Sequence, residues 1–212
     1  GLVPVISLVA VTTIFAGNFM ALLQANIKRL LGYSSMAHMG YVMVLFVALL
    51  TQRESDLGLA QESLIFYVVT YMITMIGVFI LLANYVKPEN DKIMLEQLTG
   101  LFWRSPAMAT FFTIFLLSLA GIPLTAGFLA KFYIFGSAVD QNLWFLIAMV
   151  ILGSGVGLFY YLRIVLVMTK NIEDVQGNVH VVRENNEVGA GLAIFTMAML
   201  IILLGVYPQP II

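Results

Sequence analysis

From Ser105 to Val139 the chain runs 35 residues with a single charge, Lys131. Near its middle the run is interrupted by Gly121-Ile122-Pro123-Leu124-Thr125-Ala126-Gly127. As one straight helix, the 34 residues from Pro106 onward would reach roughly 50 Å. A bilayer's hydrocarbon core is about 30 Å thick. The run is therefore steeply tilted, broken, or a normal span followed by something else. Pro123 brings no backbone N–H, and its ring clashes with the preceding turn. The flanking Gly121 and Gly127 make unwinding easier. Broken helices at membrane depth free backbone groups that only protein or water can satisfy, and transporters place ion sites at such breaks.

The rest of the chain is of the same kind. Apolar runs extend from about Val3 to Leu23, Leu30 to Leu50, Leu64 to Val86, Leu143 to Met168 and Val188 to Val206. Each is near the 20 residues a span requires. Hydrophobic residues make up 61% and charged residues 10%, with a mean hydropathy of +1.01. A soluble domain carries about 25% charged residues. The reading is an all-α, polytopic transmembrane bundle of about six spans, one of them a broken helix over residues 106–139. A barrel would show strict alternation over about ten residues instead.

Net charge is −1, which argues against nucleic acid as a partner. There is no cysteine, so disulfides, iron–sulfur clusters and thiolate metal sites are excluded from this chain. Gly1 leads straight into an apolar segment without the features of a signal peptide. The ending Pro208-Gln209-Pro210-Ile211-Ile212 carries no polar tail. Both ends read as cut from a longer polytopic protein.

The connections set the orientation. Lys28, Arg29, Lys87, Lys92, Arg104, Lys170 and Arg183 fall on one side, and only Arg53 on the other. Seven against one is a positive-inside bias that points both chain ends outward. The connection before Arg104, with Leu95, Leu98 and Trp103 among charges, reads either as a short interfacial helix or as an ordinary loop.

An ammonium inside hydrocarbon costs roughly 2.5–3.5 kcal/mol on insertion scales, so Lys131 invites two readings. It snorkels from a span ending near Leu129, or it is buried and exchanges a proton, since desolvation works against the charged form. Snorkelling would leave Phe132-Tyr133-Ile134-Phe135 outside the membrane, on the side that otherwise avoids positive charge. His38 lies ten residues beyond Lys28, or roughly 15 Å along a helix axis. It suits either interhelical hydrogen bonding or proton relay, with an ordinary pKa of about 6.5. Ser34, Ser35 and Tyr41 add hydroxyls beside it. Lys28 and Arg29 read most simply as interfacial charges. Arg163, after Tyr160 and Tyr161, reads as a snorkelling residue near Lys170. Gly153, Gly155 and Gly157 read as helix-packing positions. His180 lies in a polar connection and carries no assignment.

Three stretches together resemble a known family: Asn26 to Tyr41, Leu117 to Phe132 with its break, and Tyr160-Tyr161-Leu162-Arg163. They are similar to the antiporter-like membrane subunits of proton-pumping NADH:quinone oxidoreductase, respiratory complex I. Gly100-Leu101-Phe102-Trp103 and the ending Gly205 to Pro210 favour the bacterial subunit N branch. The resemblance implies a chain of about fourteen spans built from two inverted five-helix repeats. Residues 1–170 look like the second repeat, 171–187 an inward-side loop, and 188–212 the final helix with an outward C-terminus. The first repeat would be absent.

The resemblance also implies roles. Lys131 stands at the proton-channel lysine of the broken helix, Lys28 at the lysine opening the second span, and His38 on a hydrophilic axis along the membrane arm. Tyr160, Ser34 and Tyr41 are candidate channel-lining residues. Tyr71 and Met75 stand where sister subunits carry a histidine and a lysine, a departure subunit N shares. The implied function is proton translocation through an outward-facing half-channel, as a subunit of an enzyme but without redox chemistry in this chain. Flavin, iron–sulfur clusters and quinone are expected in other subunits. Partners would be neighbouring antiporter-like subunits, the N-terminal half of the same subunit and the lipid bilayer of a bacterial inner membrane, with both ends of the chain in the periplasm. The rival readings are a subunit of a multisubunit cation/proton antiporter and a structural membrane scaffold.

Overall fold

The computed structural model of the chain describes residues 1–52, 58–85, 93–170 and 188–207. Its helices are α1 (Leu2–Leu22), α2 (Ile27–Thr51), α3 (Leu59–Tyr85), α4 (Leu101–Arg104), α5 (Pro106–Ala120), α6 (Ala126–Asp140), α7 (Trp144–Thr169) and α8 (Val188–Val206). Among the described residues there is no strand, only an isolated bridge between Asn26 and Met94. Five helices, α1, α2, α3, α7 and α8, are long and apolar enough to cross a membrane. α5 and α6 have 15 residues each, so each is roughly 22 Å long and too short to span alone. End to end, they occupy the long run.

The boundaries follow local chemistry. Asn26 caps α2, its side chain accepting from the Arg29 amide at 3.2 Å. This starts α2 three residues earlier than hydropathy suggests and puts Lys28, half-buried, in its first turn. Pro106 opens α5, where its missing N–H removes no helix bond. Large apolar side chains such as Leu8, Phe46, Ile65, Phe79, Leu152 and Phe159 are exposed along the long helices, an exterior suited to hydrocarbon.

α3 is the central element, packing on α2, α5, α6 and α8, while α1 packs on α2 and α7. The stretch before Arg104 is neither a single interfacial helix nor a plain loop. The Ile27 amide donates to the Ile93 carbonyl and the Leu95 amide to the Ala25 carbonyl, both at 2.8 Å. A 3-10 turn at Leu95–Leu98 and the one-turn α4 follow, burying Ile93, Leu95, Leu98 and Leu101. Trp103 stays exposed, its ring N–H donating to the Thr169 carbonyl at 3.2 Å. Arg53, Lys87, Lys92, His180, Arg183, the 171–187 connection and the ending 208–212 lie outside the described residues.

Candidate functional site

The break between α5 and α6 builds the site from backbone outward. Gly121 takes a left-handed conformation, φ +81°. Its amide reaches the Ser118 carbonyl and the Ile122 amide reaches the Leu117 carbonyl, both at 3.0 Å, forming a Schellman stop. Neither bond uses the carbonyls of Leu119 and Ala120. The chain then turns through Pro123, exposed in the linker, and Leu124, at φ +76° and 74% exposed. Thr125 closes the turn, donating its hydroxyl to the Ile122 carbonyl at 2.7 Å. α6 therefore restarts beside the end of α5.

Lys131, in the second turn of α6, reaches back across the break. Its ammonium donates to the Leu119 carbonyl at 3.0 Å, the Ala120 carbonyl at 2.8 Å and the Ser154 hydroxyl of α7 at 2.9 Å. A cation at a helix C-terminus is favoured by the aligned peptide dipoles, by about 0.3–1 kcal/mol and up to about 2 when partly buried. Lys131 is 6% exposed, so it does not snorkel from this bundle. Its bonding partners are two carbonyls and a hydroxyl, not a carboxylate. Carbonyls only accept, whereas a hydroxyl accepts from an ammonium or donates to a neutral amine. Ser154 is thus the partner able to follow a change in the lysine's protonation.

The glycines of the break have different jobs. A Cβ on Gly121 would lie 2.8 Å from Lys131 Cδ, so this position must be glycine for both conformation and room. Gly127 does not unwind anything. It lies in the first turn of α6, where a Cβ would overlap the Ser118 carbonyl, and so it lets the two half-helices touch.

His38 lies 5% exposed on α2, with Ser34 and Tyr41 on the same helix face. Its Nδ1 is 2.6 Å from the Tyr67 hydroxyl and its Nε2 3.3 Å from the Tyr161 hydroxyl. Its ring stacks on Tyr71, centroids 4.8 Å apart. Ser34 hydrogen-bonds Tyr161. His38 and Lys131 line the same cavity, together with Tyr67, Thr70, Tyr71, Thr74 and Ser118. The Lys131 Nζ also stands 5.7 Å from the centre of the Tyr41 ring.

Tyr160 and Tyr41 form a neighbouring cluster around a residue sequence reasoning missed, Asn18 of α1. The Tyr160 hydroxyl donates to Asn18 Oδ1 at 3.1 Å, and Asn18 Nδ2 donates to the Ile14 carbonyl at 2.9 Å and the Tyr41 hydroxyl at 3.5 Å. Gly153 makes this possible, because a Cβ there would strike Ile14 and approach both Tyr41 and Asn18. A lone amide inside an apolar run was the available signal. The structure thus brings together Lys131, His38, Ser34, Tyr41 and Tyr160. Lys28 lies in the first turn of α2, outside the residues that line this cavity. Arg163 is exposed, with Nη1 3.5 Å from the Leu22 carbonyl, as a snorkelling residue would be.

Residues 2–157 match the model of the transmembrane family "NADH:quinone oxidoreductase/Mrp antiporter, TM". The chain belongs to this family. Within it, the chain is 44% identical to NADH-quinone oxidoreductase subunit N of Acinetobacter baumannii, over 100% of this chain and 41% of that protein. It is 43% identical to the subunit N of Methylococcus capsulatus, over 98% of this chain and 40% of that protein. The chain thus spans about two-fifths of the length of the curated relatives it matches. A family structure, respiratory complex I from Thermus thermophilus with bound aureothin, superposes with a TM-score of 0.80 at 27% identity, covering 97% of this chain and 44% of that one. The Mrp complex of a Dietzia species shares the fold, with a TM-score of 0.78 at 19% identity over 98% of this chain and 45% of that one. The chain is a multi-pass membrane protein of the antiporter-like kind, as its apolar runs and break suggest.

Proposed function

We propose that this chain forms part of a proton-translocating membrane-arm subunit of NADH:quinone oxidoreductase, and that it supplies an outward-facing half-channel centred on Lys131. The observation that carries this reading is the buried Lys131 ammonium, bonded across a helix break and sharing a cavity with His38. In low dielectric, a charge change on a neighbouring subunit is felt strongly by such a group. Lys131 takes up a proton when its surroundings turn negative and releases it when they turn positive. His38 and Lys28 serve on the inward side of this path, and Ser34, Tyr41 and Tyr160 line it. Gly121 and Pro123 set the break and Gly127 lets the two half-helices touch, which together aim Lys131.

In this reading residues 1–170 are one five-helix repeat and 188–212 the final helix. The membrane is a bacterial inner membrane, with both ends of the chain toward the periplasm. The chain meets lipid, the N-terminal half of its own subunit and neighbouring antiporter-like subunits, but no nucleic acid. Flavin, iron–sulfur clusters and quinone belong to other subunits, and none to this one. Replacing Lys131 with alanine in the assembled complex tests the proposal: unchanged pumping removes Lys131 from the path.

A second reading is a subunit of a multisubunit cation/proton antiporter, favoured by the shared fold of the Dietzia Mrp complex. Purification from native membranes separates the two. Flavin and iron–sulfur proteins accompany the chain under the first reading and are missing under the second.

A further inference from the structure

α3 lines the cavity with a polar face. Tyr67, Thr70, Tyr71 and Thr74 follow one another at i, i+3, i+4 and i+7, the spacing of one helix face. All four line the cavity that His38 and Lys131 share. Thr74 is satisfied: its hydroxyl donates to the Thr70 carbonyl at 2.8 Å and lies 3.4 Å from the Ser118 hydroxyl. Thr70 is not. It is 3% exposed, and its hydroxyl has no hydrogen-bond partner among the described residues. Buried polar atoms that lack a protein partner are typically paired with ordered water. The cavity leaves about 10 Å³ for water centres, near the room one water occupies. The hydroxyls around it, of Thr70, Thr74 and Ser118, supply the two to four polar partners such a water requires, and Lys131 lines the same cavity.

We propose that Thr70 holds a single water in this cavity, and that this water passes the proton between the His38–Tyr67 pair and Lys131. This rests on the half-channel reading and names its middle step. The imidazolium Nδ1–H bond breaks as its proton joins the Tyr67 oxygen, 2.6 Å away. The former Tyr67 proton passes to the water, and a water proton passes to the lone pair of the neutral Lys131 amine. One proton moves from His38 to Lys131, the intervening groups end unchanged, and no electron is transferred. Thr70 touches the water and not the reacting nitrogens, so it is a positioning residue. The α3 face thus lays hydroxyl groups along the wall shared by His38 and Lys131.

The test compares Thr70→Val, Thr70→Ser and Lys131→Ala in the complete complex in proteoliposomes, reading the rate of proton transfer and its ratio to NADH oxidised together with the melting temperature. Valine keeps the shape of threonine and removes the hydroxyl. Thr70→Val should slow pumping about tenfold, the worth of one lost hydrogen bond, with the melting temperature held and with Thr70→Ser restoring the rate. Wild-type pumping by Thr70→Val, while Lys131→Ala fails, overturns the Thr70 inference and leaves the half-channel standing. Wild-type pumping by Lys131→Ala removes the half-channel itself. A second measurement is independent of any variant. An experimental structure of the wild-type complex fine enough to show waters should place one within hydrogen-bond distance of Thr70 Oγ1, and an empty map there overturns the proposal.

Discussion

The Lys131 ammonium lies 2.8 Å from the Ala120 carbonyl, so the cation of one half-helix closes the end of the other. The pair ties the geometry of the break to the position of the charge. Disturbing either should disturb both.

Gly121→Ala tests that tie. A left-handed alanine costs about 1–2 kcal/mol, and the added Cβ would sit 2.8 Å from Lys131 Cδ. Pumping should fall although Lys131 is still present, and the complex should melt a few degrees lower. Gly155→Ala, where a Cβ meets nothing within 4 Å, should change neither. Parallel pumping and melting measurements on the two variants decide the matter.

Ser154 should matter through its hydroxyl. Ser154→Ala leaves Lys131 with two carbonyls, which accept its N–H bonds but have no proton to donate to the lone pair of the neutral amine. Proton release should slow, while Ser154→Thr, which keeps the hydroxyl, should stay near the wild-type rate. The solvent isotope effect on pumping should rise in Ser154→Ala if release has become limiting. An unchanged isotope effect together with unchanged pumping would assign Ser154 to packing alone.

His38 and Tyr67 should act as a unit, because a 2.6 Å contact joins the imidazole Nδ1 directly to the tyrosine hydroxyl. The losses of pumping in His38→Gln and Tyr67→Phe should therefore not add in the double variant. Additive losses would mean that the two residues contribute separately.

Asn18→Leu should cost stability more than transport. It leaves the buried Tyr160 hydroxyl without its Asn18 acceptor, a loss of about 1–3 kcal/mol. It also places a branched side chain against Gly153, where space is already short. Thermal unfolding of the complex reads the effect, and a melting temperature equal to wild type would contradict it.

The parts of this fold set by local chemistry were legible in the sequence. The run 106–139 holds α5 and α6, and the turn between them falls inside Gly121–Gly127, because glycine and proline act on their own backbone. Lys131 and His38 stood out because charge and imidazole are rare in apolar runs. The partners of those residues were not legible. Ser154, Tyr67, Thr70 and Asn18 look ordinary in sequence and gain meaning only when helices far apart in the chain meet. Tyr160 shows the limit most clearly. It reads as a channel-lining candidate, and its hydroxyl donates to Asn18 of α1, a pairing that no pattern in the sequence announces.

The most direct measurement of the central claim is the number of protons transferred per NADH oxidised by the complex in sealed liposomes, wild type against Lys131→Ala, with assembly checked by subunit content. The expected result is a clear drop in that number for the variant in a fully assembled complex. The same proton count and the same rate of NADH oxidation in both would contradict the assignment of Lys131 to the proton path.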